Sequence, residues 1–118
     1  MPLGSPGNDV QPQAMLQVLL NVFAFDNRLL EAVENPRFAT FSFPRSSEPH
    51  PYSPDLLQLE GRISNSTAGE LAARGHDVAL WPDWDWHAGA VCAILFDTET
   101  GILEGAADPR RSGSALGW

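Results

Sequence analysis

The chain has 118 residues, a formal net charge of −8 and a pI near 4.6, with 43% hydrophobic residues. That length suits one domain or one part of a larger one, and the composition can fill a core. The acidic balance excludes the basic stripe of a nucleic-acid reader and any electrostatic pull towards anionic membranes.

Residues 1–9, "MPLGSPGND", read as a glycine-rich loop. A helix is predicted from about Val10 to Phe25. Leu16, Leu19, Leu20 and Phe23 fall at helical spacing, and Met15, Val18 and Val22 make a second row beside them. Two adjacent apolar rows imply a helix covered on most sides. Pro12 is tolerated in the first turn, and Asp9 is the expected cap. The stretch "MLQVLLNVFAF" is too short and too interrupted to span a bilayer. The N-terminus has no basic region and no signal core.

A short helix follows from Arg28 to Glu34, capped by Asp26 or Asn27 and stopped before Pro36. A strand is expected over Phe38–Phe43, then an exposed loop over the Pro- and Ser-rich residues 44–54. "LLQLEGRI" reads as a strand with Leu57, Leu59 and Gly61 on one face. "STAGELAARG" reads as a helix, with Thr67 and Glu70 at capping-box spacing and Gly75 as its C-terminal cap. "HDVALW" is a strand and "PDWDWHAG" a loop. "AVCAILFD" is a buried strand, joined by "TETG" to the hairpin partner "ILEGAA". The lone Cys92 reads as a small core residue. Residues 1–9 are thus loop, 10–35 helices, and 36–118 strands with one helix. The order describes an α+β unit ending in antiparallel strands.

The residues that bear on chemistry are few. A glycine-rich turn entering a helix presents backbone N–H groups to negative charge. In "GSPGND" this suits a phosphate, an oxyanion or no ligand at all, and the spacing fits neither the P-loop nor the dinucleotide fingerprint. Ser5 lacks the G-x-S-x-G form of a nucleophile elbow. His50, His76 and His87 are far apart, with no metal-ligand spacing. The indoles of "LWPDWDWHAG", Trp81 to His87, suit either packing onto neighbouring structure or the rim of a ligand site. Asp108, Arg110 and Arg111, like Arg37 in "NPRF", suit a structural salt bridge or an anion. No cofactor and no metal are expected.

Taken together, "GSPGND" before a long apolar helix, "EAVENPRF", "LEGRI", "LAARGHDV", "GAVCAILFD" and "GILEGAADPRRSGSALGW" resemble the C-terminal part of the γ-glutamyltranspeptidases. The forms "LEGRI", "RGH" and "ADPRR" are closer in style to the oxamate-amidohydrolase-like branch. The resemblance implies the C-terminal portion of an N-terminal-nucleophile (Ntn) hydrolase, an αββα sandwich, incomplete alone. In that family a precursor cuts itself, and the new N-terminal threonine attacks a γ-glutamyl or related amide. Two consecutive glycines after the proline give the oxyanion hole. Here those positions are Gly7 and Asn8, and Asn8 departs from the usual glycine. Ser5 and Pro6 would serve the substrate through loop shape. The nucleophile belongs to a segment upstream of these blocks, and Thr40, Thr67, Thr98 and Thr100 do not match it. The expected partners are therefore the large subunit, the rest of the small subunit and an amide substrate. The chain alone should be inactive. The other reading is a non-catalytic truncated paralogue that acts as an interaction module. Compartment stays open: cytoplasmic by default, periplasmic or secreted if a parent chain is exported.

Overall fold

The computed structural model describes residues 1–117. Two three-stranded sheets flank a pair of helices. The first sheet has the order β1 (Leu3–Gly4), β5 (Cys92–Phe96), β6 (Leu103–Ala107), all antiparallel. The second has the order β2 (Phe38–Thr40), β3 (Leu56–Glu60), β4 (Asp77–Trp81). In it β2–β3 is antiparallel and β3–β4 parallel, with helix α3 (Asn65–Ala73) as the crossover. Helices α1 (Gln11–Phe23) and α2 (Leu29–Glu34) join β1 to β2. The loop expected over residues 1–9 thus contains a two-residue strand, β1, too short to show a period in sequence.

A 3-10 turn over Asn8–Val10 leads directly into α1, and Pro12 sits in the first turn as expected. The buried line of α1 is Ala14, Val18 and Val22, continued from Val10 in the 3-10 turn; these side chains are small or β-branched and allow close approach. The Leu16, Leu20 and Phe23 row is left exposed. The helix is therefore covered on one side only among the described residues, not on most sides.

Helix α1 also closes the free edge of β2. The Gln13 side chain donates to the Thr40 carbonyl (3.1 Å) and accepts from its N–H (2.9 Å). Gln17 does the same for Phe38, at 2.9 and 3.1 Å. The match is geometric. Residues i and i+4 of a helix are about 6 Å apart along the axis, and residues i and i+2 of a strand about 6.6 Å.

Arg28 is the N-cap residue of α2, and its backbone N–H donates to the Glu31 carboxylate at 3.3 Å. Neither Asp26 nor Asn27 caps it, because Asp26 takes φ +60 in the preceding turn. Helix α3 is capped by Ser64, which accepts from the Thr67 N–H at 3.1 Å, so the helix begins earlier than the Thr67–Glu70 spacing implied. Its end follows expectation. Gly75 has φ +101, its N–H donates to Ala72 O (3.0 Å), and His76 N–H donates to Leu71 O (3.3 Å). This is the Schellman pattern.

The main core lies where α1 and α2 pack on β5 and β6, around Val18, Leu29, Val33, Val91, Ala93 and Ala106. Strand β5 was expected to be buried. Only Ala93 is fully so, and Cys92, Ile94 and Phe96 point to the opposite, exposed face. Cys92 is therefore a surface thiol, not a core residue. Its neighbours in register, Ala107, Gly105 and Leu103, share that face.

Candidate functional site

The Ser5–Asn8 loop is held by its neighbours. The Ser5 hydroxyl accepts from the Ala90 N–H (3.0 Å) and donates to the Pro6 carbonyl (2.7 Å), so its one proton is committed within the fold. Gly89, at φ +83, lies beneath the loop. A Cβ there would stand 2.8 Å from Ser5 Oγ and 3.0 Å from Ala14 Cβ. Only glycine permits that approach.

Gly7 has φ +129 and Asn8 φ +55. Asn8 thus adopts the left-handed region, which Asn tolerates better than most residues. The Gly7 carbonyl accepts from the Val10 N–H at 3.1 Å, which starts the 3-10 turn. Neither the Gly7 nor the Asn8 N–H donates to another group among the described residues. Both residues line a cleft of about 370 Å³. Its other walls include Phe41, Arg45, Trp81, Trp86, His87 and Arg111. The Asp9 carboxylate at its edge accepts from Ser46 Oγ (2.6 Å) and the Ser46 N–H (3.1 Å). Those hydrogen bonds hold its pKa below the usual carboxylate value, with a further push from Arg45.

The tryptophan loop divides its work. Trp81 is buried, edge-on to Phe41 at 6.3 Å between centroids. Trp84 stacks on Arg62, whose guanidinium carbon lies 3.5 Å from the ring centroid. Trp86 is exposed at the cleft and stacks on His87 at 3.8 Å. His50, His76 and His87 are all exposed.

Arg37, Asp108 and Arg110 form a buried charge network, as the salt-bridge reading of those residues anticipated. Arg111 is not part of it. Sequence reading missed the hub, Glu60. It accepts from the Arg37 N–H (2.8 Å), the Asp85 N–H (3.1 Å), Arg62 Nη2 (3.1 Å), and Nε (2.7 Å) and Nη2 (2.6 Å) of Arg110. Asp108 accepts from the Val91 N–H (2.9 Å), the Arg110 N–H (3.0 Å) and Arg110 Nη1 (3.0 Å), and pairs with Arg37 Nη1 (2.7 Å). The arginines also cap the end of α2. Arg37 and Arg110 donate to Val33 O, Arg62 to Glu34 O and Arg110 to Asn35 O. These are carbonyls that a helix end leaves without partners.

Burial pushes the Glu60 carboxyl up. The hydrogen bonds from Arg110 and the Arg37 N–H, with the charges of Arg110 and Arg62, outweigh it and bring the pKa below the ordinary value. Burial likewise lowers Arg110, and its two carboxylate partners more than restore it. Arg37 ends lowered, because burial and the nearby Arg110 charge exceed the help from Asp108 and Glu60. Glu60 also holds the Asp85 N–H, and Arg37 holds the Ala88 carbonyl at 3.3 Å. The network thereby fixes the 85–89 turn on which the Gly7 loop rests.

The model of the gamma-glutamyltranspeptidase family matches residues 1–118. The chain belongs to that family. Among its curated relatives, the oxamate amidohydrolase proenzyme of Klebsiella pneumoniae is 33% identical over the whole of this chain, which spans 21% of that protein. Two solved structures of the family's architecture superpose well. Cephalosporin acylase from Bacillus halodurans is 27% identical with a TM-score of 0.84, covering 99% of this chain and 20% of that one. The gamma-glutamyltranspeptidase of Pseudomonas nitroreducens, complexed with L-DON, is 27% identical with a TM-score of 0.75, covering 98% and 54%. The fold is accordingly a segment of the Ntn-hydrolase architecture. The chain spans about a fifth of the length of the curated relatives it matches.

Proposed function

We propose that this chain supplies the oxyanion side of an amide-cleaving site in an enzyme of the γ-glutamyltransferase and amidohydrolase type. The nucleophile, an N-terminal threonine, comes from a segment outside these residues. Gly7 N–H and Asn8 N–H hold the carbonyl oxygen as it gains charge. Ser5 and Pro6 shape the loop. One observation carries the reading: two consecutive residues at positive φ present N–H groups without internal acceptors to the wall of a cleft. Such donors cost no reorganisation when the oxyanion forms, and losing one typically costs about 2.7–4 kcal/mol of transition-state stabilisation.

A structure of the assembled enzyme with a covalent amide-analogue inhibitor tests this. Both nitrogens are expected within about 2.7–3.1 Å of the inhibitor oxygen. An oxygen that points away from both overturns the reading. Asn8→Gly should retain turnover, because the donor belongs to the backbone.

A further inference from the structure

All seven cationic side chains of this chain are arginines. Arg37, Arg62 and Arg110 are engaged by Glu60 and Asp108. Of the four that remain, two line the cleft beside the Gly7–Asn8 loop, Arg45 and Arg111. Neither guanidinium has a carboxylate within salt-bridge range or a hydrogen-bond acceptor among the described residues. Each is instead held over an aromatic ring of the cleft. Arg45 lies 5.1 Å from the Phe41 centroid and Arg111 5.1 Å from that of Trp86. A guanidinium placed over a ring keeps its N–H edge open, and that edge matches a carboxylate in two-point contact. Asp9, the one carboxylate on the wall, is engaged by Ser46. In a chain of net charge −8, two cations that line one aromatic cleft without a salt-bridge partner among the described residues are a chemical signal about its ligand.

We propose that Arg45 and Arg111 form a carboxylate-binding subsite, so that the amides taken by this site carry a free carboxylate on a flat, apolar body beyond the bond that is cut. The apolar wall of the cleft, Val10, Phe41 and Trp81, takes the body, and the guanidinium edges take the charge. The proposal deepens, and rests on, the assignment of the Gly7–Asn8 loop to the scissile carbonyl. Both arginines are exposed, so replacing them leaves the core intact.

The test is a binding titration of the full chain as its gene encodes it. The readout is the fluorescence of the tryptophans, two of which, Trp81 and Trp86, line the cleft. The probes are phenylacetate and its neutral isostere phenylacetamide. Phenylacetate is expected to bind at least about tenfold more tightly, equivalent to about 1.4 kcal/mol. The double variant Arg45→Gln/Arg111→Gln should lose that preference, and Arg74→Gln, elsewhere on the surface, should keep it. Equal affinity for the two probes, binding of neither, or a preference that survives in the double variant overturns the subsite. Amide hydrolysis is scored separately. There the double variant should raise KM for a carboxylate-bearing amide without lowering kcat. A carboxylate preference with no amide hydrolysed by the assembled enzyme would sink the loop assignment and not the subsite. Hydrolysis without the preference would do the reverse.

Discussion

At the scale of single residues, Glu60 matters most to stability. Its carboxylate is fully buried and gathers donors from three arginines and from the Asp85 backbone N–H. Removing one partner of a buried ion network typically costs about 3–5 kcal/mol, because the remaining charges stay buried without compensation. Glu60→Gln should therefore lower the denaturant midpoint sharply near neutral pH, by about that free energy. The pH dependence has a definite sign. The folded-state pKa lies below the ordinary value, so its stabilisation is present above the unfolded-state pKa. It is lost as pH falls through the folded one. The gap between wild type and Glu60→Gln should thus be widest above about pH 5 and should narrow on acidification. A gap that widens towards acid would contradict the charge assignment. The network's arginines were visible in "NPRF", "GRI" and "DPRR", but their common partner was not. Glu60 is 50 residues from Arg110 in sequence, and one sequence carries no sign of such a pairing. A glutamate in an apolar strand, in a chain with three arginine motifs to pair, was the one available hint.

At the scale of elements, the glutamine rungs between α1 and β2 decide how the second sheet ends. An edge strand leaves N–H and C=O groups bare, and proteins cover or blunt such edges. Here Gln13 and Gln17 take both groups of Thr40 and of Phe38. Gln17→Leu keeps the helix propensity close to unchanged but leaves two backbone groups unpaired. Both bonds are solvent-exposed, so water takes over the freed groups and each lost bond costs about 0.5–1.5 kcal/mol net. Thermal melting should register that loss, and amide exchange at Phe38 should speed up while β5 and β6 stay protected. Unchanged exchange at Phe38 would mean that the edge is held by something other than Gln17. Much at this scale was legible. The strand–helix–strand unit, the Gly75 stop and the "TETG" hairpin follow from local chemistry that the chain cannot easily override. The faces were harder. In "AVCAILF" every position is apolar, so a period of two carries no polarity to separate inside from outside. Cys92 was therefore placed on the wrong side. The rows of α1 failed for the same reason, since both are apolar and the row with the smaller side chains won the core.

At the scale of the whole molecule, the chain is less compact than its length allows. Its radius of gyration is 15.4 Å, against about 13.5 Å expected for a globular domain of this size. Two apolar faces are left exposed. One is the Leu16, Leu20 and Phe23 row of α1, continued by Phe25 and Leu30. The other is the Ile94, Phe96 and Leu103 face of the first sheet, which borders an apolar groove of about 480 Å³. Exposed apolar area on this scale marks an interaction surface. The matched relatives are about five times longer than the matched segment, and the proposed function predicts that a further segment covers these faces. Two measurements follow. The purified 118-residue chain should bind a hydrophobic dye or self-associate, and should show no γ-glutamyl transfer. Addition of the family's nucleophile-bearing segment should quench the dye signal and restore amide hydrolysis together, because one docking event covers the faces and completes the site. Monomeric, dye-silent, cooperative unfolding of the chain alone would instead favour a self-sufficient interaction module. Robust turnover by the pure chain would show that the nucleophile lies within these residues, among its own hydroxyls and thiol.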